Sequence, residues 1–161
     1  MPSNRLKQFL DSQSIKYVVI SHSVAYAAQG IAALAHIPGK ELAKTVVVKI
    51  DGAFAMAVVP ASRQVDLALL KAAVHTNNAE LASEMEFKSR FPDCETGAMP
   101  PFGNLYEMAV FADVGLSHDQ EITFNAGSHR ELVRLAWDDF ERLVKRVVVR
   151  LTSERPRQSA A

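Results

Sequence analysis

The sequence predicts an α+β fold in a single domain, on three observations. The first is a β-hairpin pattern over 44–59, in which two apolar runs flank Asp51-Gly52. The second is a set of apolar residues at helical spacing behind capping residues near the N-terminus and mid-chain. The third is a second half rich in β-branched and alternating runs. The chain has 161 residues, a length that suits one domain burying roughly 70% of its unfolded surface.

In chain order, Ser3 is expected to cap a helix whose Leu6, Phe9 and Leu10 share a face, followed by a strand at 17–20. Ser23 is placed to cap an alanine-rich helix to about His36, stopped by Pro38-Gly39. The hairpin follows, with strands at 44–50 and 53–59. Asp66 should cap a helix to about Val74, and Asn78 another to about Lys88, because Leu67, Leu70 and Val74, then Leu81 and Met85, repeat on one face. Residues 94–106 hold Gly97, Pro100, Pro101 and Gly103, which suits neither helix nor strand and predicts a loop of fixed shape. Strands are expected at 108–114 and 121–125, joined by a polar turn, and at 130–137. Asp138 opens a short helix to Val144, and 147–151 forms a last strand. The domain is expected to span 1–152, with 153–161 a flexible tail.

Composition excludes several classes of function. Lysine plus arginine and aspartate plus glutamate each number 18, which does not suit a general, non-specific nucleic-acid binder, and no DNA partner is expected. The charge is uneven, with nine acids against two bases over 77–121 and eight bases against five acids over 130–157. A polyanion could dock on the second stretch, or both could be ordinary solvated faces. No segment approaches the ~20 apolar residues of a membrane span, the start Met-Pro-Ser-Asn-Arg lacks an apolar stretch, and Cys94 is the single cysteine. A cytoplasmic location is expected. No G-x-x-x-x-G-K-[ST], G-x-G-x-x-G, H-E-x-x-H or G-x-S-x-G motif occurs. His22, His36, His75, His118 and His129 contain no i, i+4 pair, so no metal site is expected.

Three pieces remain that could carry chemistry. Lys44 leads a buried β-run, either as a snorkelling edge residue or as a cation aimed into a pocket. The loop Gly97-Ala98-Met99-Pro100-Pro101-Phe102-Gly103 joins free glycines to rigid prolines. It is either a plain connector or a holder of amides toward a carbonyl or oxyanion. Asn125-Ala126-Gly127-Ser128-His129 ends a strand in a polar turn, where His129 is either solvated or a donor and proton carrier near neutral pH.

In this order, Ala43-Lys44-Thr45-Val46-Val47-Val48-Lys49, the Gly97–Gly103 loop and Phe124-Asn125-Ala126-Gly127-Ser128-His129 resemble the YbaK family, the prolyl-tRNA synthetase-associated editing domain. The likeness covers nearly the whole chain. It implies a curved, mainly antiparallel sheet flanked by helices, no cofactor, and hydrolysis of mischarged aminoacyl-tRNA in trans. The implied partners are the 3′ acceptor end of a mischarged tRNA and prolyl-tRNA synthetase, and the implied substrate is alanine or cysteine on tRNA for proline. The alternative is a silent module of the same fold that binds tRNA, a nucleotide or a protein.

The resemblance also implies roles. Lys44 would touch the terminal adenosine or its phosphate, the loop from Gly97 to Pro100 would position the ester carbonyl, and His129 would complete the substrate end. Thr45, Pro100, Asn125 and Gly127 would contribute to binding, and Tyr26, Val46, Val48, Met99 and Phe102 would either line the pocket or belong to the core. Thr45 stands where alanine-specific relatives have asparagine, and Met99-Pro100-Pro101-Phe102 replaces a serine-proline version of the loop. Such editing answers a physical limit, because one methylene supplies only ~1–3 kcal/mol of discrimination.

Overall fold

The computed structural model describes residues 4–21, 42–95, 97–118, 120–144 and 147–152. The expected cap Ser3, the alanine-rich helix with Tyr26, and the tail beyond 152 lie outside them. Among the described residues eight strands, β1 (Tyr17–Ser21), β2 (Leu42–Ile50), β3 (Ala53–Pro60), β4 (Ala79–Leu81), β5 (Ala109–Asp113), β6 (Glu121–Ser128), β7 (Glu131–Ala136) and β8 (Val147–Val149), form one sheet in the order β1-β7-β6-β2-β3-β5-β8, with β4 also on β2. The pairs β1–β7, β6–β7, β2–β3 and β2–β4 are antiparallel, and β2–β6, β3–β5 and β5–β8 are parallel.

Helix α1 (Asn4–Ser12) buries Leu6 and Leu10 one turn apart and lays Phe9 edge-on against Phe102. It leads into β1 (Tyr17–Ser21). The hairpin of β2 (Leu42–Ile50) and β3 (Ala53–Pro60) pairs from Ala43↔Pro60 to Ile50↔Ala53. Asp51 and Gly52, at φ 52° and 86°, make its two-residue turn, in which both central residues need positive φ. Asp66 caps α2 (Leu67–Val74) by accepting from the N–H groups of Ala68 and Leu69.

The helix expected from Asn78 does not form. Ala79–Leu81 is instead β4, paired with β2 from Ile50↔Ala79 to Val48↔Leu81. The free edge of β2 supplies ladder partners there, and Ser83 with Glu86 forms a capping box that starts α3 (Glu84–Phe87) five residues later than expected. Leu81 and Met85 stay 56% and 87% exposed, so their helical spacing marks no buried face.

β5 (Ala109–Asp113) runs parallel to β3. A 3-10 turn at Val114–His118 replaces the expected plain turn. β6 (Glu121–Ser128) runs three residues past its expected end, and β7 (Glu131–Ala136) stops before Trp137, which opens α4 (Trp137–Val144). β8 (Val147–Val149) closes the sheet.

The alternation of β3 explains how both sheet faces are covered. Met56 and Val58 join a cluster with Leu6, Phe102, Phe124 and Phe140, while Ala55, Ala57 and Val59 join Val48, Leu70 and Leu151 on the other face. Phe102 is central to the first, with ring centroids 5.5 Å from both Phe124 and Phe140. Fully burying one such side chain is worth about 1.5–3 kcal/mol. Buried Asp113 ties the end of β5 to the C-terminal segment, accepting from the N–H groups of Leu151 (2.8 Å), Thr152 (3.0 Å) and Gly115 (3.1 Å). Among the described residues no helix is long and apolar enough to cross a membrane.

Candidate functional site

The candidate site lies where β2 and β6 part. Their pairing is limited to Leu42↔Thr123 and Ala43↔Phe124. On the same edge of β2 pairing resumes at Val48↔Leu81, and Val47 accepts a bond from the Ala82 N–H. Lys44, Thr45 and Val46 therefore lie between two strand partners. The pleat sends Lys44 and Asn125, each one residue past the last pair, to the same face of the sheet.

Lys44 is half-buried, and desolvation pushes its ammonium below the ordinary lysine range. Among the described residues it has no carboxylate partner. A partly dehydrated cation without a fixed counter-charge is suited to an anion brought by a ligand. Thr45 takes the opposite face, and its buried Oγ1 has no hydrogen-bond partner among the described residues.

The far end of β6 is re-aimed by a bulge. Asn125 pairs with Leu132 and Ser128 with Glu131, which leaves Ala126 and Gly127 without counterparts on β7. Gly127 has φ 96°, a conformation that favours glycine, and the Asn125 Nδ2 donates to the Ser128 carbonyl at 3.3 Å across the bulge. Of the expected polar turn at 125–129, half-buried His129 opens the turn that follows β6, and residues 125–128 are a buried, irregular strand end. Its amide groups are used to hold a loop: Glu95 N–H donates to the Gly127 carbonyl, and Gly127 N–H donates to the Ala98 carbonyl, both at 2.8 Å.

This docking joins two of the three sequence motifs. Gly97, at φ 87°, sits beneath the imidazole of His129, and a Cβ built on it would lie 3.5 Å from the ring Cε1 and 3.7 Å from Nε2. The Gly97 N–H has no acceptor among the described residues and the residue is exposed. Among the described residues it is an unpaired amide donor beside a half-buried imidazole.

Other expected binding residues separate. Met99, Pro100 and Phe102 are buried, and Met99 and Phe102 belong to the first core cluster. Val48 belongs to the second and Val46 packs against it. Met99 and Phe102 therefore belong to a different core cluster from Val46 and Val48. Tyr26 lies outside the described residues. Cys94 is held as a thiol, its pKa pushed up to about 11 chiefly by burial, with its Sγ 3.4 Å from the Tyr106 hydroxyl. No group of three or more His, Cys, Asp or Glu that could hold a metal occurs among the described residues.

Sequence reasoning missed Glu95. No motif marks it, since its importance comes from contacts 34 residues away, where its Oε1 accepts from the backbone N–H of His129 at 2.8 Å.

Residues 22–143 match the family model of the aminoacyl-tRNA editing domain. A crystal structure of a protein proposed to be a trans-editing enzyme for prolyl-tRNA synthetase superposes with TM-score 0.80 at 19% identity, covering 94% of this chain and 96% of the other. The crystal structure of a hypothetical protein superposes with TM-score 0.84 at 15% identity, covering 93% and 100%. These likenesses establish the fold as a single domain with a curled mixed sheet. The search of curated proteins gives no match.

Proposed function

This chain belongs to the aminoacyl-tRNA editing domain family, and from that premise we propose that it hydrolyses the ester of mischarged tRNA in trans, acting on alanine or cysteine attached to tRNA for proline. The observation that carries the reading is the Gly97–His129 juxtaposition, fixed by the bulge of β6.

Water adds to the ester carbonyl carbon, the carbonyl oxygen gathers negative charge, and the bond to the ribose oxygen then breaks. The ribose hydroxyl regains a proton and the free amino acid leaves. The unpaired Gly97 amide is suited to the developing oxyanion. One such preorganised donor is worth roughly 10²–10³ in rate. His129 beside it supplies a ring nitrogen to orient water or the ester, and half-buried Lys44 attracts the phosphate or terminal adenosine of the acceptor end. Asn125 and Gly127 act through the bulge, which aims the strand end at the loop. Thr45, with its unsatisfied hydroxyl, is a further candidate for substrate contact. Cys94, whose thiol pKa is raised by burial, is not assigned the nucleophile's role in this reading.

Prolyl-tRNA synthetase is the partner we propose, because a protein of the same fold is proposed to edit for it. The test is deacylation of alanyl-, cysteinyl-, seryl- and prolyl-tRNA for proline. Release of alanine or cysteine supports the reading and names the substrate. Release from none, with the protein folded, favours the silent binding module.

A further inference from the structure

The wiring of Glu95 goes beyond loop docking. Its N–H donates to Gly127, its carbonyl accepts from Ala98 N–H at 3.0 Å, and its carboxylate accepts from His129 N–H. The backbone bonds between Glu95, Gly127 and Ala98 seat the loop on the bulge. The carboxylate bond is different in kind, because it reaches the residue whose imidazole lies beside Gly97 and crosses an exposed surface. A single bond open to water contributes little to global stability, yet it fixes the direction of the backbone from which the imidazole projects.

We propose that Glu95 is a positioning residue for the deacylation, its Oε1 clamping the His129 backbone so that the ring stays beside Gly97. This rests on the hydrolytic function proposed above. Glu95 acts through His129 and Gly97 and needs an acceptor oxygen at the right reach, whereas its negative charge is secondary.

Three variants separate reach from charge. Glu95→Gln keeps a side-chain carbonyl oxygen at the same distance, Glu95→Asp keeps the charge but withdraws the acceptor by one methylene, and Glu95→Ala removes it. Measured with a mischarged tRNA that the wild type hydrolyses, Ala and Asp are expected to lower kcat by on the order of tenfold or more, with KM changed by less than about threefold. Gln should retain most of kcat. A thermal melt of each variant accompanies the kinetics, and if Ala fails to fold the Asp–Gln comparison stands alone. Equal activity in all variants, equal impairment of Asp and Gln, or a loss confined to KM overturns the clamp while the hydrolytic function stands. An inert wild type overturns that function and this role together.

Discussion

A Cβ at Gly97 would stand 3.5 Å from the Cε1 of His129, ordinary van der Waals contact, so the position excludes other residues by conformation rather than by space. Its φ of 87° is the obstacle. Gly97→Ala is therefore expected to cost about 1–2 kcal/mol of stability from the left-handed backbone. It should lower deacylation by at least about tenfold, because the strained loop misplaces its amide. Urea unfolding and single-turnover kinetics on the same preparation check both numbers.

Lys44 carries the opposite signature. Burial lowers its folded-state pKa below the ordinary 10.5, so at neutral pH the charged group disfavours the folded state. Because the unfolded chain binds the extra proton, this penalty is relieved as pH rises through the lowered pKa toward 10.5. Lys44→Met is expected to abolish turnover while leaving the melting temperature at pH 7 unchanged or raised. A lower melting temperature with activity intact would mark Lys44 as a packing residue.

Glu86 predicts a pH effect far from the site. Its hydrogen bond with Lys49, at 2.5 Å, holds its carboxyl at about 2, against an ordinary 4.5. Its stabilisation is complete above pH 4.5 and is lost as pH falls toward 2. Glu86→Gln should flatten the fall in urea midpoint between pH 5 and about pH 3, with a small amplitude because the pair is solvent-exposed. An unchanged slope would show that the pair does not hold in solution.

Asp113 gathers three backbone N–H groups in a buried position. Asp113→Ala is expected to cost on the order of 3 kcal/mol by leaving those donors unpaired. Chemical denaturation measures it, and deacylation per folded molecule should persist.

Much of this architecture was legible from local chemistry. Asp51-Gly52 dictated the hairpin, Asp66 the start of α2, and the prolines the loop after Cys94. What local patterns misjudged were long-range effects. The Asn78 segment became β4 because the edge of β2 was free to receive it, and β6 ran past Asn125 because the 95–98 loop supplied partners for its bulge. The family motifs named Lys44, Gly97 and His129, Met99 and Phe102 took the core alternative, and Glu95 emerged solely through its contact with His129.

The central claim is that this chain cleaves the ester of a mischarged tRNA with Lys44 as part of the site. The most direct measurement is single-turnover release of amino acid from alanyl- and cysteinyl-tRNA for proline by the wild type and by Lys44→Ala, with circular dichroism on both. The account predicts release well above buffer for the wild type on at least one substrate, and its loss in a folded Lys44→Ala. Equal rates for the two folded proteins, or no release by the wild type, would contradict it.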